Sequence, residues 1–216
     1  MSEPPIFLLS PARCDGRRAG LLFNPSAGFE LAVKLRQGPQ PIGGVFAFLS
    51  GLYFRGKLSY ATAFGRHSAN QPGVFVITTN RGLLAPETPI SLEELKAFAR
   101  VDLASAGAEF QDALRRDASR IHSTVGPTRP IVLLGSIATG KYVDVLGEIF
   151  DQRLLFPADF VGRGDMSRGG LMLRSVASGE ELSYVPVLSA VRHGKRPPKL
   201  ERLRPAPTRG KRRRNG

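Results

Sequence analysis

Three short stretches gather residue types that work on anions and polar rings. Asp15-Gly16-Arg17-Arg18 sets a carboxylate beside two guanidinium groups, and Asn80-Arg81-Gly82 sets an amide beside another. The third stretch, Gly162-Arg163-Gly164-Asp165-Met166-Ser167-Arg168, clusters glycines with two Arg, an Asp and a hydroxyl. Backbone N–H groups at glycines, together with guanidinium forks, make nests for phosphate or other oxyanions. Asp165 can equally hold Arg163 or Arg168 in a structural pair.

Other site chemistries lack their residues. No Gly-Lys-Ser/Thr exists, so there is no Walker A loop, and Gly162-Arg163-Gly164 has Ser167 where a dinucleotide fingerprint needs its third glycine. Gly135-Ser136 lacks the preceding glycine of a nucleophile elbow. The three histidines, His67, His122 and His193, have no metal-ligand spacing. The single cysteine, Cys14, allows neither a disulfide nor a cysteine zinc cluster and reads as a small buried residue. The expected site therefore consists of carboxylate, amide and guanidinium groups, with no metal and no cofactor.

The elements that must position these groups are short apolar runs alternating with helical stretches. The runs 6–10, 73–79, 130–135 and 153–156 read as buried strands. Helices are expected over 29–36, from the capping box Ser91-Leu92-Glu93-Glu94, over 106–122 and over 141–150. The run 45–49 fits strand or helix, 12–18 reads as a polar loop, and 171–174 with 182–187 reads as a hairpin around Gly179. Such alternation predicts an α/β fold: a three-layer, doubly wound domain with a central, mainly parallel sheet of about four strands. Ligands of open parallel sheets bind beyond the carboxyl ends of the strands, and the three stretches follow strand ends. Phe46, Phe48, Tyr53 and Phe54 are expected in the core. Arg55, Lys57, Arg115, Arg116 and Arg120 read as solvated faces, with DNA contact as the lesser reading.

The chain has 216 residues, 42% hydrophobic, and a formal net charge of +13. Residues 192–216 hold eleven Lys/Arg and one acid, hence +10; residues 1–191 hold 20 basic and 17 acidic residues, hence +3. Two parts are expected: a folded domain over 1–191 and a basic, proline-containing, disordered tail over 192–216. Such a tail binds phosphates through counterion release, so nucleic acid is the expected partner, with Lys211, Arg212, Arg213 and Arg214 as its densest contact. No apolar run is long enough to span a membrane and the N-terminus has no secretory pattern, so a cytoplasmic protein, monomeric and without membrane contact, is expected.

The order of these motifs resembles the uracil-DNA glycosylase superfamily, over roughly residues 5–175. Asp15 in the first loop resembles that family's water-activating carboxylate, and Gly20-Leu21-Leu22-Phe23 its base-stacking segment. Gly73 to Asn80 resembles the strand that ends in a base-reading Asn, Ile131 to Gly135 the strand before the last motif, and Phe156 to Gly170 the final loop. The resemblance implies base flipping and hydrolysis of an N-glycosidic bond, leaving an abasic site. Asp15 would orient water and stabilise the sugar cation, while Arg163 or Arg168 would balance the leaving anion. Phe23 would stack on the base, Asn80 or Asn24 would read its edge, and Arg18, Arg81 and Ser167 would contact DNA. Two departures bear on substrate. Gly16 and Arg17 follow Asp15 where the family has Pro and then, in one branch, a Tyr that blocks the pyrimidine C5 position; and the final loop has no His. The opened space, with Arg17 or Arg18 as donor, suits a larger polar C5 substituent, such as hydroxymethylated or glucosylated hydroxymethylated cytosine of phage DNA, which would make the chain a defence enzyme.

Plainer readings stand beside these. Asp15 also suits a turn or helix cap, Phe23 the core, Asn24 a turn before Pro25, and Asn80-Arg81-Gly82 an ordinary turn. The alternatives to a glycosylase are a non-catalytic nucleic-acid-binding protein of the same fold and a nucleoside or nucleotide hydrolase.

Overall fold

A computed structural model describes residues 3–65, 72–101, 107–138, 140–191 and 194–200, with the Lys141 side chain left aside. The basic run Lys211 to Arg214 lies outside the described residues.

Chain order begins with β1 (Ile6–Leu9), α1 (Arg17–Phe23), α2 (Glu30–Gln37), β2 (Gln40–Pro41), α3 (Ile42–Ser50) and α4 (Leu52–Phe64). It continues with β3 (Val74–Ile77), β4 (Leu83–Leu84), β5 (Pro89–Ile90), α5 (Leu92–Ala99) and α6 (Ala108–Thr124). It ends with β6 (Ile131–Leu134), α7 (Gly140–Phe150), β7 (Leu154–Pro157), α8 (Asp165–Ser178) and β8 (Tyr184–Pro186).

The main sheet has six strands in the order β4-β3-β1-β6-β7-β8. The four inner strands are parallel; β4 and β8 close the two edges antiparallel. The four expected strands are therefore present, with two short edge strands added and a separate two-stranded piece made by β2 and β5. Every residue of β1 and β6 is fully buried. That is why these runs are continuously apolar: both faces are covered by helices, so no polar alternation is tolerated. On one face α4 packs on α8 and on β1; on the other α6 packs on α7 and reaches β4, giving three layers. Phe110, Ala113, Leu114, Ala118 and Ile121 form the buried stripe of α6, as their spacing requires.

Several sequence expectations are corrected. The segment 171–174 is not a hairpin strand but part of α8, which runs on to a left-handed Gly179 (φ 72°); only β8 is a strand, and it pairs with β7. Gly169-Gly170 disguises this helix because glycine disfavours helices, but here tertiary packing needs it. A side chain at Gly169 would stand 2.8 Å from the Leu52 carbonyl oxygen, and one at Gly56 would stand 2.7 Å from the Gly169 carbonyl oxygen. Thus α4 and α8 cross backbone against backbone. The polar loop is shorter than expected, because Arg17 and Arg18 already belong to α1. The ambiguous run 45–49 is helical, within α3. Phe46, Tyr53 and Phe54 are core residues, whereas Phe48 is half-buried and stacks on Phe29. Lys57, expected on a solvated face, is 1% exposed. It lies on the α4 stripe that also buries Tyr53, Phe54, Tyr60 and Ala61, so the helix's own packing draws it inward.

Candidate functional site

The carboxyl ends of β1, β3 and β7 all open on one edge of the sheet, and the expected site loops follow them. After β1 the chain extends through Ser10 to Cys14. The Cys14 thiol donates to the Ala12 carbonyl at 3.4 Å and is buried, which together with the nearby Asp15 charge pushes its pKa up to about 12. It is an inert, packed thiol at neutral pH. Asp15 points to solvent, 53% exposed, and accepts from Arg13 Nε at 2.7 Å. That hydrogen bond holds its carboxyl below the usual range, so the group is ionised at neutral pH. Asp15 lines a cleft of about 470 Å³ with Pro11, Arg13, Thr79, Phe98 and Arg100.

After β3, Thr78 and Gly82 close a tight turn. The Thr78 hydroxyl donates to the Gly82 carbonyl at 2.9 Å and accepts from the Arg81 amide at 3.0 Å. Gly82 sits at φ 66°, in the left-handed region where a side chain is strained. Arg81 is ion-paired with Glu94, the residue that also completes the capping box of α5. Asn80 lines a different cleft, of about 610 Å³, with Phe75, Leu83, Leu84, Arg116 and Arg120. Its Oδ1 atom is buried and accepts no hydrogen bond.

After β7, a short 3-10 turn (Ala158–Phe160) leads into the glycine-rich loop, and α8 starts at Asp165. Arg163 donates to the Asp159 carbonyl at 2.9 Å and to the Ser167 hydroxyl at 3.3 Å. Arg168, one turn into α8, donates through Nε to the Phe160 carbonyl at 3.1 Å and lies over the Phe160 ring. Arg163 and Ser167 line a third cleft with residues 196–200.

The three stretches thus share a sheet edge, but Asp15, Asn80 and Arg163 line three different clefts. Of the remaining candidates, Asn24 builds a turn, its Oδ1 accepting from the Ser26 amide at 2.9 Å. Phe23 is half-buried against the core, Arg17 is exposed on α1, and Arg18 donates to the Phe48 carbonyl at 2.9 Å.

A second polar centre escaped the sequence reading. The chain passes from β1 to β3 on one side and later to β6 on the other, so the order reverses between β1 and β6. Such a switch point is where open α/β sheets form their ligand crevice. Lys57 Nζ lies there, donating to the Ser10 carbonyl at 2.7 Å and the Ser10 hydroxyl at 2.8 Å. It stands 4.4 Å from the Tyr53 ring centroid and 4.9 Å from that of Phe54. Among the described residues no carboxylate forms an ion pair with it. Desolvation lowers its pKa to about 7; Asp165 opposes that shift and Arg168 adds to it. The Tyr53 hydroxyl is also buried and faces Arg168. Tyr142 reaches the same place from α7, where a side chain at Gly135 would stand 3.0 Å from its hydroxyl and 2.7 Å from Ser10 Cβ. The α4–α8 glycine crossing is what lets Arg168 and Asp165 act on Lys57 and Tyr53. The sequence held one signal for this centre: Lys57 falls inside the apolar stripe of Tyr53, Phe54, Tyr60 and Ala61, while Arg55 falls opposite it.

No family model, curated protein or solved structure matches this chain. Among the described residues no helix is long and apolar enough to cross a membrane, and no group of His, Cys, Asp and Glu could hold a metal ion.

Proposed function

We propose that this chain is a DNA glycosylase that excises a modified pyrimidine, in the manner of the uracil-DNA glycosylase superfamily that its motif order resembles. The observation that carries the reading is the polar character of one sheet edge: an ionised, accessible Asp15 after β1, and, at the switch point between β1 and β6, a buried Lys57 with a half-buried Arg168. Cleavage of the C1′–N bond leaves positive charge on the sugar and sends the bonding electrons away with the base. Asp15 stabilises the sugar cation and takes a proton from the water that adds to C1′. The Arg168 guanidinium offsets the charge on the departing base, as a preorganised electrostatic site does, and Lys57 adds to it in its protonated form. Arg17 and the space beside Gly16, where the extra side chain would meet nothing within 4 Å, suit a substituent at C5. The net charge of +13, with +10 of it in residues 192–216, supports a polyanionic partner.

The experiment is abasic-site release from matched DNAs carrying cytosine, uracil, hydroxymethylcytosine or glucosylated hydroxymethylcytosine, with Asp15→Asn beside the wild type. Release from one modified DNA, lost in the variant, is expected. No release from any of them, with binding to all, would replace this reading by the second one, a non-catalytic nucleic-acid-binding protein. That reading is favoured by the separation of Asp15, Asn80 and Arg163 into three clefts and by the Arg13 partner that occupies Asp15.

A further inference from the structure

The cleft beside Arg163 has one wall that comes from the chain's C-terminal segment. Residues 194–200 have no regular secondary structure, yet they are held against the start of α8. Arg163 Nη1 donates to the Pro198 carbonyl at 3.3 Å, and Leu200 lies over Gly170. Gly162, at φ 70°, leaves its α-carbon bare where the carbonyls of Gly194 and Lys195 press against it. Any side chain there would push the segment away. The segment is thus a strap fixed to the rim of the sheet edge.

Between strap and helix lies a cleft of about 310 Å³, lined by Arg163, Gly164 and Ser167 on one side and by Arg196, Lys199 and Leu200 on the other. Three of its lining residues are cationic and none is acidic. Arg163 is anchored through three hydrogen bonds, to Asp159, Ser167 and Pro198, so its charge is presented from a fixed position. Arg196 and Lys199 are exposed. From Leu200 the sequence runs into Arg202, Arg204, Arg209, Lys211, Arg212, Arg213 and Arg214, with Glu201 as the single acid.

We propose that the strap and the first turn of α8 form a groove for the sugar–phosphate backbone of a DNA strand. Phosphates lie between Arg163 and the Arg196–Lys199 pair. Charge complementarity selects the occupant: three cations, one of them fixed, lining a cleft with no acidic lining residue suit an evenly spaced polyanion. The groove shares its DNA partner with the proposed function but not its chemistry, and it stands whether or not any base is released.

The test is fluorescence anisotropy of a labelled single-stranded oligodeoxynucleotide over a series of salt concentrations, using the full chain. The double variant Arg196→Glu/Lys199→Glu should bind about tenfold more weakly. Its log affinity against log salt should lose about 1.4 in slope, two phosphates at roughly 0.7 each. A chain ending at Leu200 should keep salt-dependent binding through the groove. Lys34→Glu/Lys96→Glu, the same charge change on α2 and α5 at positions that line none of the three clefts, should alter the slope far less. An unchanged slope in the groove variant, an equal loss in the Lys34/Lys96 variant, or no binding by the chain ending at Leu200 would each overturn the groove. Both groove substitutions are at exposed positions, so an unchanged melting temperature is expected and separates lost binding from lost folding. Base release, assayed separately, tests the glycosylase reading alone.

Discussion

The two halves of the sheet's carboxyl edge carry the same kinds of charge in opposite surroundings. Beyond β1 and β3 the charges are paired and wet: Arg13 with Asp15, 81% and 53% exposed, and Arg81 with Glu94. Between β1 and β6 the charge is dry: Lys57 is 1% exposed, is bonded to Ser10, and has no carboxylate partner among the described residues. An exposed pair contributes about 0–1 kcal/mol and trades partners readily. A buried cation acts in a low dielectric, where its field on a neighbouring charge is several-fold stronger. The outer half can therefore release Asp15 to a substrate at little cost, while the inner half holds a buried amine whose charge depends on pH.

Breaking the link between the halves should have the largest effect. Gly169→Val drives a side chain into the Leu52 carbonyl and Tyr53 Cα, 2.8 and 3.0 Å from where its Cβ would sit, with backbone on both sides. We expect a loss of about 3 kcal/mol, at the upper end for overpacking, read as a lower urea midpoint with unchanged slope. Tyr53 and Lys57 would lose their register against Arg168 at the same time. A midpoint within error of wild type would mean that the helices do not cross as closely as described. Next in size is Asp15→Asn, which removes charge from the wet half without touching the dry one. On the proposed reading, base release should fall about a hundredfold, near 2.7 kcal/mol of transition-state stabilisation, with DNA affinity unchanged. An equal fall in affinity would make Asp15 a binding residue instead.

The dry half is also where sequence reasoning failed, and the contrast has a physical cause. The four parallel strands were legible because each is buried on both faces, which leaves an unbroken apolar run. The capping box at Ser91 was legible because it is local: both of its hydrogen bonds lie within four residues. Lys57 was not, because charge alone points outward, and only its place inside an apolar stripe argued otherwise. Residues 171–174 of α8 were misread as a strand because the glycines before them are explained by α4, a partner more than a hundred residues away in sequence. The separation of Asp15, Asn80 and Arg163 into three clefts was equally hidden. It depends on how α5 and α6 pack against the ends of β1 and β3, which no local pattern records.

A sharper test of the dry half is the pH dependence of stability. Lys57 titrates near 7 in the folded chain and at its ordinary 10.5 when unfolded. Between those values the unfolded state binds the extra proton, so stability rises with pH; below 7 both states are protonated and the slope vanishes. The groups that face Lys57 are Ser10 at the end of β1, Tyr53 on its own helix, and Asp165 and Arg168 on α8. Lys57→Met removes the titration and leaves the Ser10 oxygens without their donor, a cost independent of pH. Wild type should therefore gain on the variant by about 1 kcal/mol per pH unit from pH 7 towards 10, measured by urea unfolding. The buried tyrosines titrate alike in both proteins and cancel from the difference. A constant difference across that range would place Lys57 in contact with solvent or with an unrecognised counter-charge.

The smallest effect belongs to the wet half. Arg13 Nε donates the hydrogen bond that holds the Asp15 carboxyl below its usual range. Arg13→Ala removes that bond, so the pKa of Asp15 returns upward. On the proposed reading, the catalytic carboxylate form is then lost at a higher pH on acidification, and the acid limb of the pH–rate profile for base release moves up. At neutral pH the group stays ionised in both proteins, so the rate there should change little. Because both partners are exposed, melting temperature should be unaffected. An acid limb that stays in place would mean that another group sets it. A large loss of rate at neutral pH would mean that Arg13 itself touches the substrate, and the exposed ion pair would then belong to the catalytic machinery.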